Sequence, residues 1–430
     1  MIQKETLESI YGFSSGELER ARTRYEALAQ GFAPGRALLR AFSAPGRSEL
    51  GGNHTDHNKG RVLAAAVHLD IAAVARARGD GVVLIRSEGF PDALVDISGE
   101  DGLLVRPAER GTTAALARGI AARMAARGAR PGGFEASLSS LVPQGSGLSS
   151  SAAIETLIAK IFDSLHCGGH FSATDIAKIG QEAENDFFDK PCGLMDQAAC
   201  ACGGAVAIDF AGADPEIKKM PFDPLAAGFA LCVVDTKASH ADLTPDYAAI
   251  PEEMRSVARF FGKTFLREIN LQDVLACAKD IRKQAGDRAL LRAIHFFNED
   301  ERAGKMAEAL QALALAQGEE RRRAMSGFLD LANESGDSSW RLLQNMHPQD
   351  AHDRQGLAIA IALTKEFLRA GGLKGACRVH GGGFAGTIQA YVPQEALEAY
   401  REKMEALFGE GALYVLRVRD SGAAELSLGL

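Results

Sequence analysis

The sequence predicts a mixed helix-and-strand protein of two domains. Three observations point there. A chain of 430 residues outgrows one ordinary hydrophobic core, so length alone favours two domains. Strand-like and helix-like patterns are interspersed along the chain. A Gly/Ser loop, Pro143 to Ala153 (PQGSGLSSSAA), also runs straight into a helical apolar pattern. The composition, 46% hydrophobic and 24% charged, is that of a globular chain rather than a disordered one.

Each element has a local reason. Val82-Val83-Leu84-Ile85 reads as a strand, and Thr112 to Arg127 as an Ala-rich helix stopped by Gly128 and Pro131. Phe134 to Val142 alternates apolar and polar near its start, then delivers the chain into the Gly/Ser loop. Beyond the loop, Ile154, Leu157, Ile158, Ile161, Phe162 and Leu165 follow the i, i+3, i+4, i+7 spacing of an amphipathic helix. Another helix is expected from about Gly193 to Cys202, ended by Gly203-Gly204, with a strand over Ala205 to Phe210. The stretch Ala211 to Gly228 holds three prolines and reads as a loop. It is the expected boundary between domains of residues 1–215 and 216–430. The remainder reads as mainly helical, with Glu319 to Arg323 as a solvated helix face. Arg378 to Tyr391 reads as a glycine loop followed by a strand.

Charge and cysteine usage exclude several functions. A net charge of −8 argues against nucleic acid or anionic lipid as the main partner. The N-terminus, MIQKETLESI, lacks the apolar core of a signal peptide. The best apolar run, Leu357 to Leu363, is far too short to span a bilayer. Seven scattered cysteines do not suggest a disulfide framework. Cys200-Ala-Cys202 lacks the spacing of a metal or redox pair, so small buried thiols are expected. The expected compartment is cytoplasmic.

The Gly/Ser loop suits phosphate. Gly145 and Gly147 permit a tight turn and leave no side chain to block a ligand. Ser149, Ser150 and Ser151 fall where a helix begins, so free amides and the helix dipole converge on one spot. No lysine follows as a Walker A loop requires, and Ser150 stands where a dinucleotide fingerprint needs a third glycine. A plain helix N-cap would need only one serine.

PQGSGLSSSAA resembles the ATP-binding motif of the GHMP small-molecule kinases, galactokinases in particular. Three further segments agree in order: Ala44 to Gly60 (APGRSELGGNHTDHNKG), Pro191 to Gln197 (PCGLMDQ) and Arg378 to Thr387 (RVHGGGFAGT). A weaker match links His240 and Tyr247. The resemblance implies an α+β, two-lobed GHMP kinase with its active site in the cleft between lobes. It implies ATP as co-substrate, a small-molecule sugar and Mg2+, in a monomer or homodimer. Gly145, Ser146, Gly147, Leu148, Ser149, Ser150 and Ser151 would contact ATP. Ser151 and Glu184 would hold the metal, and Asn53, His54, Asp56, Gly193 and Tyr247 the sugar. Asp196 matches the catalytic aspartate, in a first helical turn whose dipole favours its ionised form. It would accept the proton of the anomeric hydroxyl or orient that hydroxyl. Arg47 would neutralise charge on the transferred group and hold Asp196.

Several residues depart from the galactokinase pattern. Asn53 and His57 replace the usual Glu and Tyr, Glu49 replaces an Asn, Asn185 a His, and His380 a Thr or small residue. Asn53 matters most, because the glutamate it replaces contacts the hydroxyl on the sixth carbon in galactokinases. An amide there would tolerate a carboxylate, so galactose is the first expectation and galacturonate the second. A non-catalytic sugar and ATP sensor is the alternative from another class. The intact Ser151-Ala152-Ala153, Asp196 and Arg47 favour activity.

Overall fold

Two long strands organise the molecule because their side chains are small or apolar on both faces, which demands cover on both sides. They are β1 (Arg40–Gly51) and β2 (Arg61–Ala77), both buried along most of their length. The computed structural model describes residues 2–12, 14–33, 38–143, 145–238, 243–350 and 353–427. The other strands are β3 (Val82–Ser87), β4 (Ala93–Asp96), β5 (Phe134–Ser140), β6 (Ala205–Asp209), β7 (Glu216–Met220), β8 (Phe229–Asp235), β9 (Ala376–Val379), β10 (Thr387–Pro393), β11 (Leu413–Leu416) and β12 (Ala424–Leu426).

The large sheet runs β12-β1-β2-β5-β3-β4, and β2 also pairs with β6, which in turn pairs with β7. Among the described residues, only β3 and β5 pair in parallel. The small sheet runs β11-β8-β10-β9 and is antiparallel throughout. Register shifts interrupt the β1–β2 ladder between Pro45 and Arg47 and between Glu49 and Gly51. Such bulges re-aim side chains, and here they flank the segment that carries Arg47.

Helices α1 (Lys4–Tyr11) and α2 (Ser15–Gln30) share an apolar cluster with Ala41, Ala72 and Val74 of the large sheet. Helices α3 (Thr113–Ala126), α4 (Ser150–His166), α5 (Ala173–Ala183) and α6 (Met195–Cys202) enter the main core with that sheet. Helices α7 (Thr244–Phe260), α8 (Leu271–Ala276), α9 (Ala278–Ala285) and α10 (Asp287–Leu315) build a separate apolar cluster. Helix α11 (Gly318–Ser338) packs on α10 and β9, while α12 (Gly356–Ala370) and α13 (Leu397–Phe408) cover the small sheet. This mixed arrangement of helices and two sheets agrees with the expected fold class.

The stretch read as a loop from Ala211 to Gly228 contains β7. Glu216–Met220 extends the large sheet, with Met220 buried although the segment lies between prolines. Arg378, read as loop, sits within β9. All seven cysteines are free. Among the described residues, no helix is long and apolar enough to cross a membrane.

Candidate active site

The Gly/Ser loop connects β5 to α4, and its backbone bends through left-handed residues at Gly145, Gly147 and Ser149. Gly147 is open on one side by necessity, since a Cβ there would stand 3.0 Å from His380 Nδ1. The first helical bond in this turn runs from the Ala153 N–H to the Ser149 carbonyl (3.1 Å). The amides of Ser150, Ser151 and Ala152 therefore have no acceptor among the described residues, and their dipoles face out of the helix end. Ser150 and Ser151 are half-buried, and neither hydroxyl bonds to another described residue.

Other members of the loop are differently employed. Leu148 is buried in the main core, and its carbonyl accepts from the Arg47 amide (3.0 Å). The Ser146 hydroxyl donates to Pro143 O (2.6 Å) and is buried. Ser149 Oγ donates to Asp196 rather than facing the amide cradle. Packing and internal hydrogen bonds thus hold these three side chains. Gln144 lies outside the described residues, as does His240.

Arg47 and Asp196 meet in a two-pronged pair. Arg47 Nε donates to Oδ1 (2.7 Å) and Nη2 to Oδ2 (2.7 Å), and Nη1 binds the Gly147 carbonyl. Burial pushes the Asp196 carboxyl up, but the Arg47 charge and hydrogen bonds outweigh it and hold the pKa below the ordinary range. Asp196 keeps 29% of its side chain exposed, so a ligand can reach it. Oδ2 accepts two bonds and Oδ1 one, which leaves Oδ1 the freer acceptor.

Asp56 approaches the start of α6 at Gly193, where any Cβ would overlap Asp56 Oδ2. That glycine lets the Asp56 carboxylate lie close to the turn leading into α6. Three other residues expected to face sugar grip the loop between β9 and β10. Asn53 Nδ2 donates to Gly381 O (2.7 Å), His54 Nε2 bonds Gly382 O (3.0 Å), and Tyr247 donates to Gly383 O (3.1 Å). Burial, and then the neighbouring His57, lowers the His54 pKa to about 4, so its ring is neutral.

Asn53 departs furthest from expectation. Its amide also donates to Glu49 Oε1 (3.0 Å), while its oxygen accepts from Asn345 (3.0 Å) and Ser339 (3.4 Å). All four hydrogen-bonding positions of a buried amide are occupied, so no donor or acceptor remains for a sugar. Glu49 in turn receives Arg378 Nη2 at 2.6 Å, and both are buried.

Glu184 is 2% exposed and sits in an ionic knot. Lys190 Nζ meets Oε1 at 2.7 Å and Gln197 Nε2 meets Oε2 at 3.0 Å. Gln197 Nε2 also reaches Glu155 Oε2 (2.8 Å), and Glu155 Oε1 has no partner. Burial, with Glu184 close by, raises the Glu155 carboxyl well above its usual range.

Sequence reasoning left His380 unassigned. Gln389 donates to Ser48 Oγ (2.7 Å), freeing the Ser48 proton for His380 Nε2 (3.1 Å). Nδ1 then donates to Thr387 Oγ1 (3.0 Å), whose hydroxyl donates to Ser146 O (3.1 Å). One neutral histidine thereby ties β1, β10 and the Gly/Ser loop together. Burial and the charges of Arg47 and Arg378 keep its pKa well below normal. From behind, Glu299 accepts from the Gly52 amide (3.1 Å), and His295 Nε2 bonds Asn53 O (2.9 Å). These supports lie hundreds of residues from what they hold, and no motif spacing announces them.

A two-sheet fold with an amide cradle facing an arginine-fixed aspartate is the design of the GHMP kinases, and comparison agrees. Residues 115–204 match the family described as GHMP kinases N terminal domain. Residues 24–77 match the galactokinase galactose-binding signature. The galactokinase of Streptomyces coelicolor is 30% identical over 406 residues, covering 93% of this chain and 94% of that one. The chain belongs to the galactokinase family. Its fold resembles Lactococcus lactis galactokinase complexed with galactose, at TM-score 0.75 and 23% identity over 95% of this chain and all of that one. Methanococcus jannaschii mevalonate kinase gives TM-score 0.59 at 13% identity, covering 90% and 99% respectively. At such identities these structures speak to fold alone.

Proposed function

We propose that the chain transfers the γ-phosphoryl group of ATP to the anomeric hydroxyl of galactose, giving galactose 1-phosphate. The observation that carries this reading is the Arg47-held Asp196, open to ligand, beside the unpaired amides of Ser150, Ser151 and Ala152. Family membership and the galactose-binding signature support the sugar. Galacturonate loses its main argument, because the Asn53 amide is spent within the protein. Residues 1–215 and 216–430 are the proposed lobes, with β7 and β12 of the second stretch completing the large sheet of the first.

Phosphoryl transfer proceeds through a loose transition state, so positioning and charge stabilisation dominate. Asp196 Oδ1 accepts the hydrogen bond of the anomeric hydroxyl and takes its proton as the O–P bond forms. Its lowered pKa keeps it ionised and ready at neutral pH. Three of the Arg47 N–H groups hold Asp196 and Gly147, and the remaining two are free for transferring phosphoryl oxygens. Asp56, beside Gly193, is positioned to accept from sugar hydroxyls.

The donor chemistry fits magnesium. Glu184 and the Ser151 hydroxyl are oxygen donors, and among the described residues no cluster of three or more His, Cys, Asp or Glu forms a cage. Magnesium commonly takes one or two protein oxygens together with substrate phosphates, where it neutralises phosphate charge. Purified protein with magnesium-ATP should form ADP with galactose and far less with galacturonate. Asp196→Asn should lower kcat by about 10²–10⁴-fold. No galactose-dependent ADP from the wild type would defeat the reading.

A further inference from the structure

Lys190 has no part in the phosphoryl-transfer scheme, yet the backbone is bent to deliver it. Helix α5 ends at Ala183, and Glu184–Phe188 continues as a π-turn closed by left-handed Asp189 (φ 72°). Turns of this kind recur at functional sites because they displace one helical face. Here the turn folds Lys190 back over Glu184, with its amide on the Glu184 carbonyl (3.2 Å) and its ammonium on Oε1 (2.7 Å). The lysine side chain is 57% exposed, whereas Glu184 is 2% exposed. An exposed lysine gains little from such a pair, so the arrangement serves the buried partner.

That partner is one of two acids. Gln197 spans Glu184 and Glu155, and Glu155 Oε1 is buried without a hydrogen bond. Lys190 binds the Glu184 member of this pair. It also stands within electrostatic reach of Asp196, the residue before Gln197. A flexible four-carbon stem carrying a point charge can exchange one oxyanion for another at little cost.

We propose that Lys190 is an exchangeable counter-ion. It neutralises Glu184 while the cleft lacks a metal nucleotide, and it moves to the phosphate oxygens when a divalent cation takes the Glu184 oxygen. This rests on the reading of Glu184 as a metal ligand and of the loop as an ATP site. A purely structural lysine would affect melting temperature and leave nucleotide affinity alone.

The test is calorimetric binding of AMP-PNP to the full chain, with EDTA and then with excess MgCl2, for wild type, Lys190→Met and Lys190→Arg. With MgCl2, Lys190→Met should weaken binding about tenfold or more, and Lys190→Arg should restore most of it. The affinity gained on adding MgCl2 should be smaller in Lys190→Met than in wild type, since the ammonium reaches the phosphates only once the cation holds Glu184. Affinity in MgCl2 unchanged within about twofold in Lys190→Met would overturn the Lys190 inference alone. Failure of the wild type to bind AMP-PNP in either condition would overturn the nucleotide reading with it.

Discussion

Residues 49 and 53 show how one substitution is answered by another. Galactokinases usually carry Asn and Glu at these places, and this chain carries Glu49 and Asn53, hydrogen-bonded to each other at 3.0 Å. The carboxylate has moved to a position where Arg378 meets it at 2.6 Å in a fully buried pair. Asn53→Glu would set a second carboxylate against Glu49 without a cation, and Glu49→Asn would strand Arg378. Each single change should cost about 3–5 kcal/mol, the usual consequence of leaving a buried charge unpaired. The double change returns one amide and one acid to the same space and should recover about 0.5–3 kcal/mol of the summed loss. Urea unfolding of the four proteins measures this coupling, and strictly additive losses would refute the pairing.

At the scale of elements, the loop from His380 to Gly386 joins the two sheets. Side chains from the β1 turn, from α7 and from the segment after α11 hold three successive carbonyls, at Gly381, Gly382 and Gly383. Gly382 lies against Tyr247, and a methyl there would overlap the ring carbon Cε1. Gly382→Ala should force Tyr247 away from Gly383, costing about 1–3 kcal/mol of stability. The sugar KM should rise more than the ATP KM, because Tyr247 is a proposed sugar contact. A change confined to the ATP KM would contradict this placement. Local patterns made β5, the Gly/Ser loop and α4 legible, since turn glycines and helical spacing act over a few residues. Strand β7 was hidden by flanking prolines, although its Ile217 and Met220 face inward. The grip on residues 381–383, the Glu49–Arg378 pair and the Lys190 return could not be read from spacing. Their partners are selected by tertiary folding, or by a π-turn without a local signature.

Across the whole molecule, five histidines have lowered pKa values in separate places. Burial is the largest cause in each: His54 and His68 fall to about 4, His166 and His295 are lowered, and His380 lies well below normal. Unfolded, each would titrate near 6.5. Between about pH 6.5 and 4 the unfolded chain therefore binds protons that the folded chain refuses, so stability rises with pH across that window and is lost on acidification. Glu49, Glu155 and Asp300 have raised pKa values and act in the opposite direction. Five histidines against three acids leave net proton uptake on unfolding in the upper part of the window. Lowered carboxyls such as Asp70 and Glu299, the latter near 2, add to the loss below about pH 5. The melting temperature should accordingly hold near neutral pH and fall from about pH 6.5 downward. His68 isolates the effect, since it lies on β2 and accepts the Arg417 amide (3.2 Å), clear of the Gly/Ser loop and Asp196. His68→Gln keeps an acceptor but removes one titrating group. Its stability slope between pH 6 and 5 should be shallower by up to about 1.4 kcal/mol per pH unit. Matching slopes for His68→Gln and wild type would show that His68 is protonated in the folded protein at those pH values.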